Sequence, residues 1–149
     1  MSDLTDLYQE VILDHYKKPR NFREMPECSH HAEGTNPLCG DRITIYLQID
    51  DNNIVQDVSF QGSGCAISKA SASLMTAEVK GKSREQAGEL FDHVRRMLTG
   101  ETECPPEASL GKLRVLSGVC EYPTRVKCAT LAWHALSAAM QGEDNASTE

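Results

Sequence analysis

Apolar residues return at helical spacing from the start of the chain. Leu4, Leu7, Tyr8, Val11 and Ile12 fall on one face of a 3.6-residue turn and predict a first amphipathic helix. It ends near Lys17-Lys18-Pro19, because proline cannot supply the next helical amide. From Arg20 to Gly40 the pattern lapses into Asn, Pro and Gly punctuation, with a short irregular strand expected around Cys28 to Glu33. Alternation then takes over. Residues 42–50 (RITIYLQID) and 54–61 (IVQDVSFQ) alternate apolar with polar and are rich in β-branched side chains. Asp51-Asn52-Asn53 separates them, so the two runs predict an antiparallel hairpin.

After Gly62-Ser63-Gly64 the period switches back to helical, with Ile67, Ala70, Leu74 and Ala77 as the stripe. Ser83 and Gln86 have the spacing of a capping box. Leu90, Val94, Met97 and Leu98 carry the helix behind it to Gly100. Glu103-Cys104-Pro105-Pro106 breaks the chain, and Leu110 to Val119 reads as a short helix or turn. Pro123 suits the first turn of a final helix, whose stripe is Val126, Ala129, Trp133, Leu136 and Met140. The expectation is an α+β fold: a small three-stranded antiparallel sheet with helices packed on one side. A single domain is expected over 1–141, followed by a polar flexible tail over 142–149.

Composition narrows the function. A chain of 149 residues suits one core, and with only 5% aromatic residues that core must rest on Leu, Val, Ile and Ala. The net charge of -7 argues against non-specific nucleic-acid binding and against an anionic membrane surface. The first residues carry neither a basic nor an apolar targeting region, and no run approaches the ~20 apolar residues of a membrane helix. A cytoplasmic protein is expected. Its six cysteines therefore read as thiols or ligands rather than disulfides.

Cys39, Asp41, Cys65 and Cys128 stand out. Cys39 and Asp41 flank Gly40 in a Pro/Gly turn, where a small buried thiol would pack poorly. Cys65 follows Gly-Ser-Gly and opens a helix, where the free amides and the helix dipole favour a thiolate. Cys128 falls on the flank of the last apolar stripe, at the rim of the core. Three thiolates and a carboxylate make a complete set for a zinc-like metal. A structural metal knot, a cluster scaffold and a sulfur-loading site all remain open on these residues. Cys28, Cys104 and Cys120 look ordinary in their local context. His15, His30, His31, His93 and His134 are the remaining ligand candidates, and Tyr8, Val11, Ile12 and His15 suggest a partner-docking face on a loosely packed first helix.

Three strings narrow these readings: Asn36 to Asp41 (NPLCGD), Phe60 to Ser68 (FQGSGCAIS) and Arg125 to Trp133 (RVKCATLAW). In this order they resemble the IscU-like (NifU N-terminal domain-like) family of iron–sulfur cluster assembly proteins, over nearly the whole chain. Scaffolds of the IscU branch usually carry a histidine immediately before the last cysteine. Here that position is Lys127, a poor zinc ligand while charged. The segment from Ser109 to Tyr122 is also long. Both features are similar to the SufU branch.

That resemblance implies zinc held by Cys39, Asp41, Cys65 and Cys128. It implies sulfur acceptance from a SufS-type cysteine desulfurase and delivery to downstream iron–sulfur assembly proteins. A zinc-bound thiolate that accepts sulfur must be able to leave the metal. Cys39, in a flexible turn, is the expected acceptor, with Cys65 and Cys128 tied to helix starts. Four anionic ligands on a divalent ion leave a net negative site that needs compensation. Arg125, three residues before Cys128, is the expected partner of a ligand or guide of Cys39. The alternative is a scaffold that assembles a [2Fe-2S] cluster on the same ligands, since thiolates suit both metals.

Overall fold

The computed structural model describes residues 3–37, 40–99, 113, 115–116, 123–143 and 145–147. Strand β2 (Asp41–Ile49) buries every second residue: Asp41, Ile43, Ile45, Leu47 and Ile49 turn inward. Arg42, Thr44, Tyr46 and Gln48 on its other face are exposed or half-buried. Such alternation marks a sheet with one covered face. Strand β3 (Val55–Ser63) pairs with β2 antiparallel, Ile45 opposite Phe60 and Leu47 opposite Val58. Asp50 closes the hairpin by accepting the amides of Asn52 and Ile54 on Oδ1, both at 2.9 Å.

Strand β1 (His30–Asn36) pairs antiparallel with β2 and begins later than its expected place around Cys28 to Glu33. The sheet is four-stranded and mixed, in the order β3-β2-β1-β4, rather than three-stranded and antiparallel. The added strand, β4 (Asn145–Ser147), runs parallel to β1 and comes from the polar segment after the last helix. A strand of three residues, with Ala146 its one apolar side chain, is too short for an alternation to be read. Their strand character comes from the edge of β1 that they join.

Four helices complete the described fold: α1 (Asp3–Lys17), α2 (Ala66–Val79), α3 (Arg84–Thr99) and α4 (Pro123–Met140). Helix α4 packs on β1, β2 and α2, while α1 rests on α2 and α3 on α4. The capping box is present: the Ser83 amide donates to Gln86 Oε1 at 3.0 Å and the Gln86 amide to Ser83 Oγ at 3.1 Å. Helix α4 starts at Pro123, as its fixed φ favours. Leu113, Val115 and Leu116 are buried in the core. The rest of the segment expected as a short helix or turn lies outside the described residues.

Two expectations about helix faces change. Helix α2 is buried all round its centre, from Ala70 to Thr76, while Ala77 of the expected stripe is exposed. A helix enclosed by α1, α4 and the sheet has no single wet face, so a periodic stripe describes it poorly. Helix α1 is not loosely attached either. Val11 and Ile12 pack against the core, and His15 is buried with Nδ1 2.7 Å from Ser73 Oγ. Ser71 pins the two central helices together: its Oγ donates to the Ala129 carbonyl at 2.5 Å and accepts Trp133 Nε1–H at 3.2 Å. Among the described residues no helix is long and apolar enough to cross a membrane.

Candidate metal centre

Strand β2, the start of α2 and the second turn of α4 meet at one end of the sheet, and each brings one donor. Asp41 opens β2 with its side chain directed inward, 3% exposed. The turn before it is closed by Gly40, whose amide donates to the Asn36 carbonyl at 2.9 Å with φ at +71°. That left-handed conformation suits glycine. Cys39, two positions before Asp41 in the chain, lies outside the described residues.

Cys65 is the N-cap of α2, exposed, with its Sγ accepting the Ser68 amide at 3.5 Å. Its own amide donates to Asp41 Oδ1 at 3.0 Å, and its Sγ lies 3.8 Å from Asp41 Oδ2. Cys128 is buried, 3% exposed, so it lies within the core edge rather than on its rim. The Asn36 side-chain amide donates to its sulfur at 3.6 Å. The donor atoms of Asp41, Cys65 and Cys128 lie within 4.8 Å of one another.

Gly64 makes this convergence possible. A Cβ there would sit 2.7 Å from Asp41 Oδ1 and 3.0 Å from its Cγ. Only the absence of a side chain lets the Cys65 amide reach the carboxylate. The start of α2 also places positive dipole and free N–H groups beside an anionic donor set.

The donor set fits zinc. Bond lengths of roughly 2.3 Å to sulfur and 2.0–2.2 Å to oxygen put tetrahedral ligand atoms roughly 3.5–3.8 Å apart. The Cys65–Asp41 separation already has that value. Asn36 Oδ1, beside the site, is buried and accepts no hydrogen bond from the described residues.

Among the described residues no histidine joins this group. His15 is tied to Ser73, His30 Nε2 lies 2.8 Å from Arg84 Nη2, and His134 stands edge-on to Phe91. Arg125 and Lys127 are exposed on the first turns of α4. Cys28 is half-buried away from the cluster, and Cys104 and Cys120 lie outside the described residues.

Residues 7–129 match the model of the NifU-like N-terminal domain. The chain belongs to this family. It is 42% identical over 143 residues to the zinc-dependent sulfurtransferase SufU of Bacillus subtilis strain 168, covering 96% of this chain and 95% of that protein. It is 40% identical over 146 residues to the iron–sulfur cluster assembly scaffold protein IscU of Streptococcus pyogenes serotype M1, covering 98% and 90%. A solved structure described as an iron–sulfur cluster assembly scaffold for the SUF system of Fervidobacterium islandicum AW-1 superposes with a TM-score of 0.83 at 35% identity. That superposition covers 88% of this chain and 94% of the other. The IscU-like, SufU-similar reading of the three sequence strings is thus borne out.

Two neighbours of the site escaped the sequence reading. Ser68 and Asn36 touch the donors but belong to no ligand pattern. A serine three positions after a helix-opening cysteine was the available signal for the first. Asn36, ahead of Pro37, read as loop punctuation and as the first residue of the NPLCGD string, with no role beside the donors.

Proposed function

We propose that this protein is a zinc-dependent sulfur acceptor of iron–sulfur cluster biosynthesis, acting in the cytoplasm beside a SufS-type cysteine desulfurase. The observation that carries this reading is the convergence of the donor atoms of Asp41, Cys65 and Cys128 within 4.8 Å, with Cys39 two positions before Asp41 in the chain. Similarity to a relative named as a zinc-dependent sulfurtransferase supports it, as does Lys127 where scaffolds of the IscU branch usually carry a histidine. Asp41, Cys65 and Cys128 hold the metal, together with Cys39. Bound zinc lowers the pKa of its cysteine ligands and keeps them as thiolates.

The transfer itself uses Cys39. Its thiolate attacks the outer sulfur of the desulfurase persulfide. A new S–S bond forms on Cys39 as the old one breaks, and the desulfurase cysteine leaves as a thiolate. Cys39 then carries a persulfide for a downstream iron–sulfur assembly protein. Arg125 acts as a positioning residue that offsets the negative charge near Cys39.

Similarity to relatives named as scaffolds supports a second reading, in which the same donors hold a [2Fe-2S] cluster. Metal analysis paired with desulfurase turnover separates the two. About one zinc per chain and stimulated turnover are expected. Abundant iron with little zinc and no stimulation favours the scaffold.

A further inference from the structure

Ser68 touches all three donor residues. It is fully buried one turn into α2, three positions after the N-cap Cys65. Its Oγ donates to Asp41 Oδ2 at 2.6 Å. The same oxygen lies 3.6 Å from Cys65 Sγ and 3.3 Å from the Cys128 carbonyl oxygen. Its amide donates to Cys65 Sγ. The other buried serines of α2 serve packing: Ser71 binds Ala129 and Trp133, and Ser73 binds His15 and the Arg20 amide.

A hydroxyl has one proton. The short bond to an anionic oxygen is the stronger claim on it, so that proton belongs to Asp41. Asp41 is then held at both oxygens by the same helix end, Oδ1 by the Cys65 amide and Oδ2 by Ser68. Two bonds fix the carboxylate plane. Each oxygen keeps a further lone pair for a metal.

We propose that Ser68 is a positioning residue that orients Asp41 as a metal ligand and locks it to the helix end that presents Cys65. This rests on the reading of Asp41, Cys65 and Cys128 as metal ligands. Without the hydroxyl, a buried carboxylate loses one of its two fixed partners and can turn away from the thiols. Partners of metal ligands that act in this way typically change affinity by about 10–100-fold when removed.

The test is zinc affinity, measured by competition with a chromophoric chelator on the full chain. Ser68→Ala should bind zinc about 10–100-fold more weakly. Ser68→Thr, which keeps the hydroxyl, should bind nearly as tightly as the wild type. In the Asp41→Ala background, adding Ser68→Ala should change affinity by no more than about twofold, because the residue acts through the carboxylate. Circular dichroism of the metal-free variants checks the fold.

Weaker binding by Asp41→Ala with unchanged binding by Ser68→Ala would overturn the proposal while leaving the ligand reading intact. A folded Ser68→Thr that binds as weakly as Asp41→Ala would overturn it too, even if Ser68→Ala does not fold. Unchanged binding by Asp41→Ala would remove the ligand reading and the proposal together.

Discussion

Asp41 accepts the backbone amide of Cys65 on Oδ1 at 3.0 Å, so a carboxylate from β2 caps the helix end that presents a thiol. One contact joins two prospective ligands that are 24 positions apart in the chain. It explains why Gly64 precedes the cysteine.

Gly64→Ala should therefore damage the site more than the fold. The added Cβ would meet the Asp41 carboxylate at 2.7 Å and force it aside. Zinc binding weaker by about tenfold or more is expected in a titration against a chelator. Wild-type affinity would show that the carboxylate need not hold its place.

Cys39→Ala should abolish desulfurase stimulation. The far-UV spectrum should stay that of the wild type. Normal stimulation by the variant would remove Cys39 as sulfur acceptor.

Metal binding should be coupled to stability. A chain bearing metal at a hundredfold excess over Kd gains about 2.7 kcal/mol. At this chain length that corresponds to about 5–10 °C in Tm. Chelation should lower the wild-type Tm by this amount. Cys128→Ala, which removes a buried donor, should start low and respond little to chelator. Equal responses in the two proteins would argue that Cys128 holds no metal.

Ser71→Ala should destabilise the junction of α2 and α4 without touching the donors. It strips the Trp133 indole N–H of its buried acceptor and the Ala129 carbonyl of a donor. A buried group left unpaired costs about 1–3 kcal/mol. Urea unfolding measures it, and a cost near zero would mean the indole finds another partner.

His134 should make stability fall in mild acid. Burial, with Arg95 adding to it, holds its pKa below the ordinary value. As pH drops below about 6.5, the unfolded chain takes up the proton first. The contribution is thus intact above about 6.5 and is lost progressively as pH falls from there towards the depressed folded value. His134→Gln should lose less stability than the wild type between pH 7.5 and 5.5 in urea titrations. Identical losses would assign the acid sensitivity elsewhere.

Much of the fold was legible because its cues are local. The 42–61 hairpin follows from alternation around Asp51-Asn52-Asn53. The start of α3 follows from the Ser83–Gln86 pair, and that of α4 from Pro123. The faces of α2 were misread, because elements from distant parts of the chain bury it on several sides. β4 was invisible because its pairing partner, β1, lies more than a hundred residues earlier.

The sequence by itself determined the hairpin, the helix starts and the family to which the three cysteine strings belong. Periodicity, capping and motif order all act within or between short windows. The resemblance of those strings implied that Asp41, Cys65 and Cys128 share a site; tertiary structure alone decided that it forms at one end of the sheet, and that Ser68 and Asn36 lie against it. The physical reason is that packing, here α2 and α4 on each other and on the sheet, converts separation along the chain into contact. No local pattern encodes that distance.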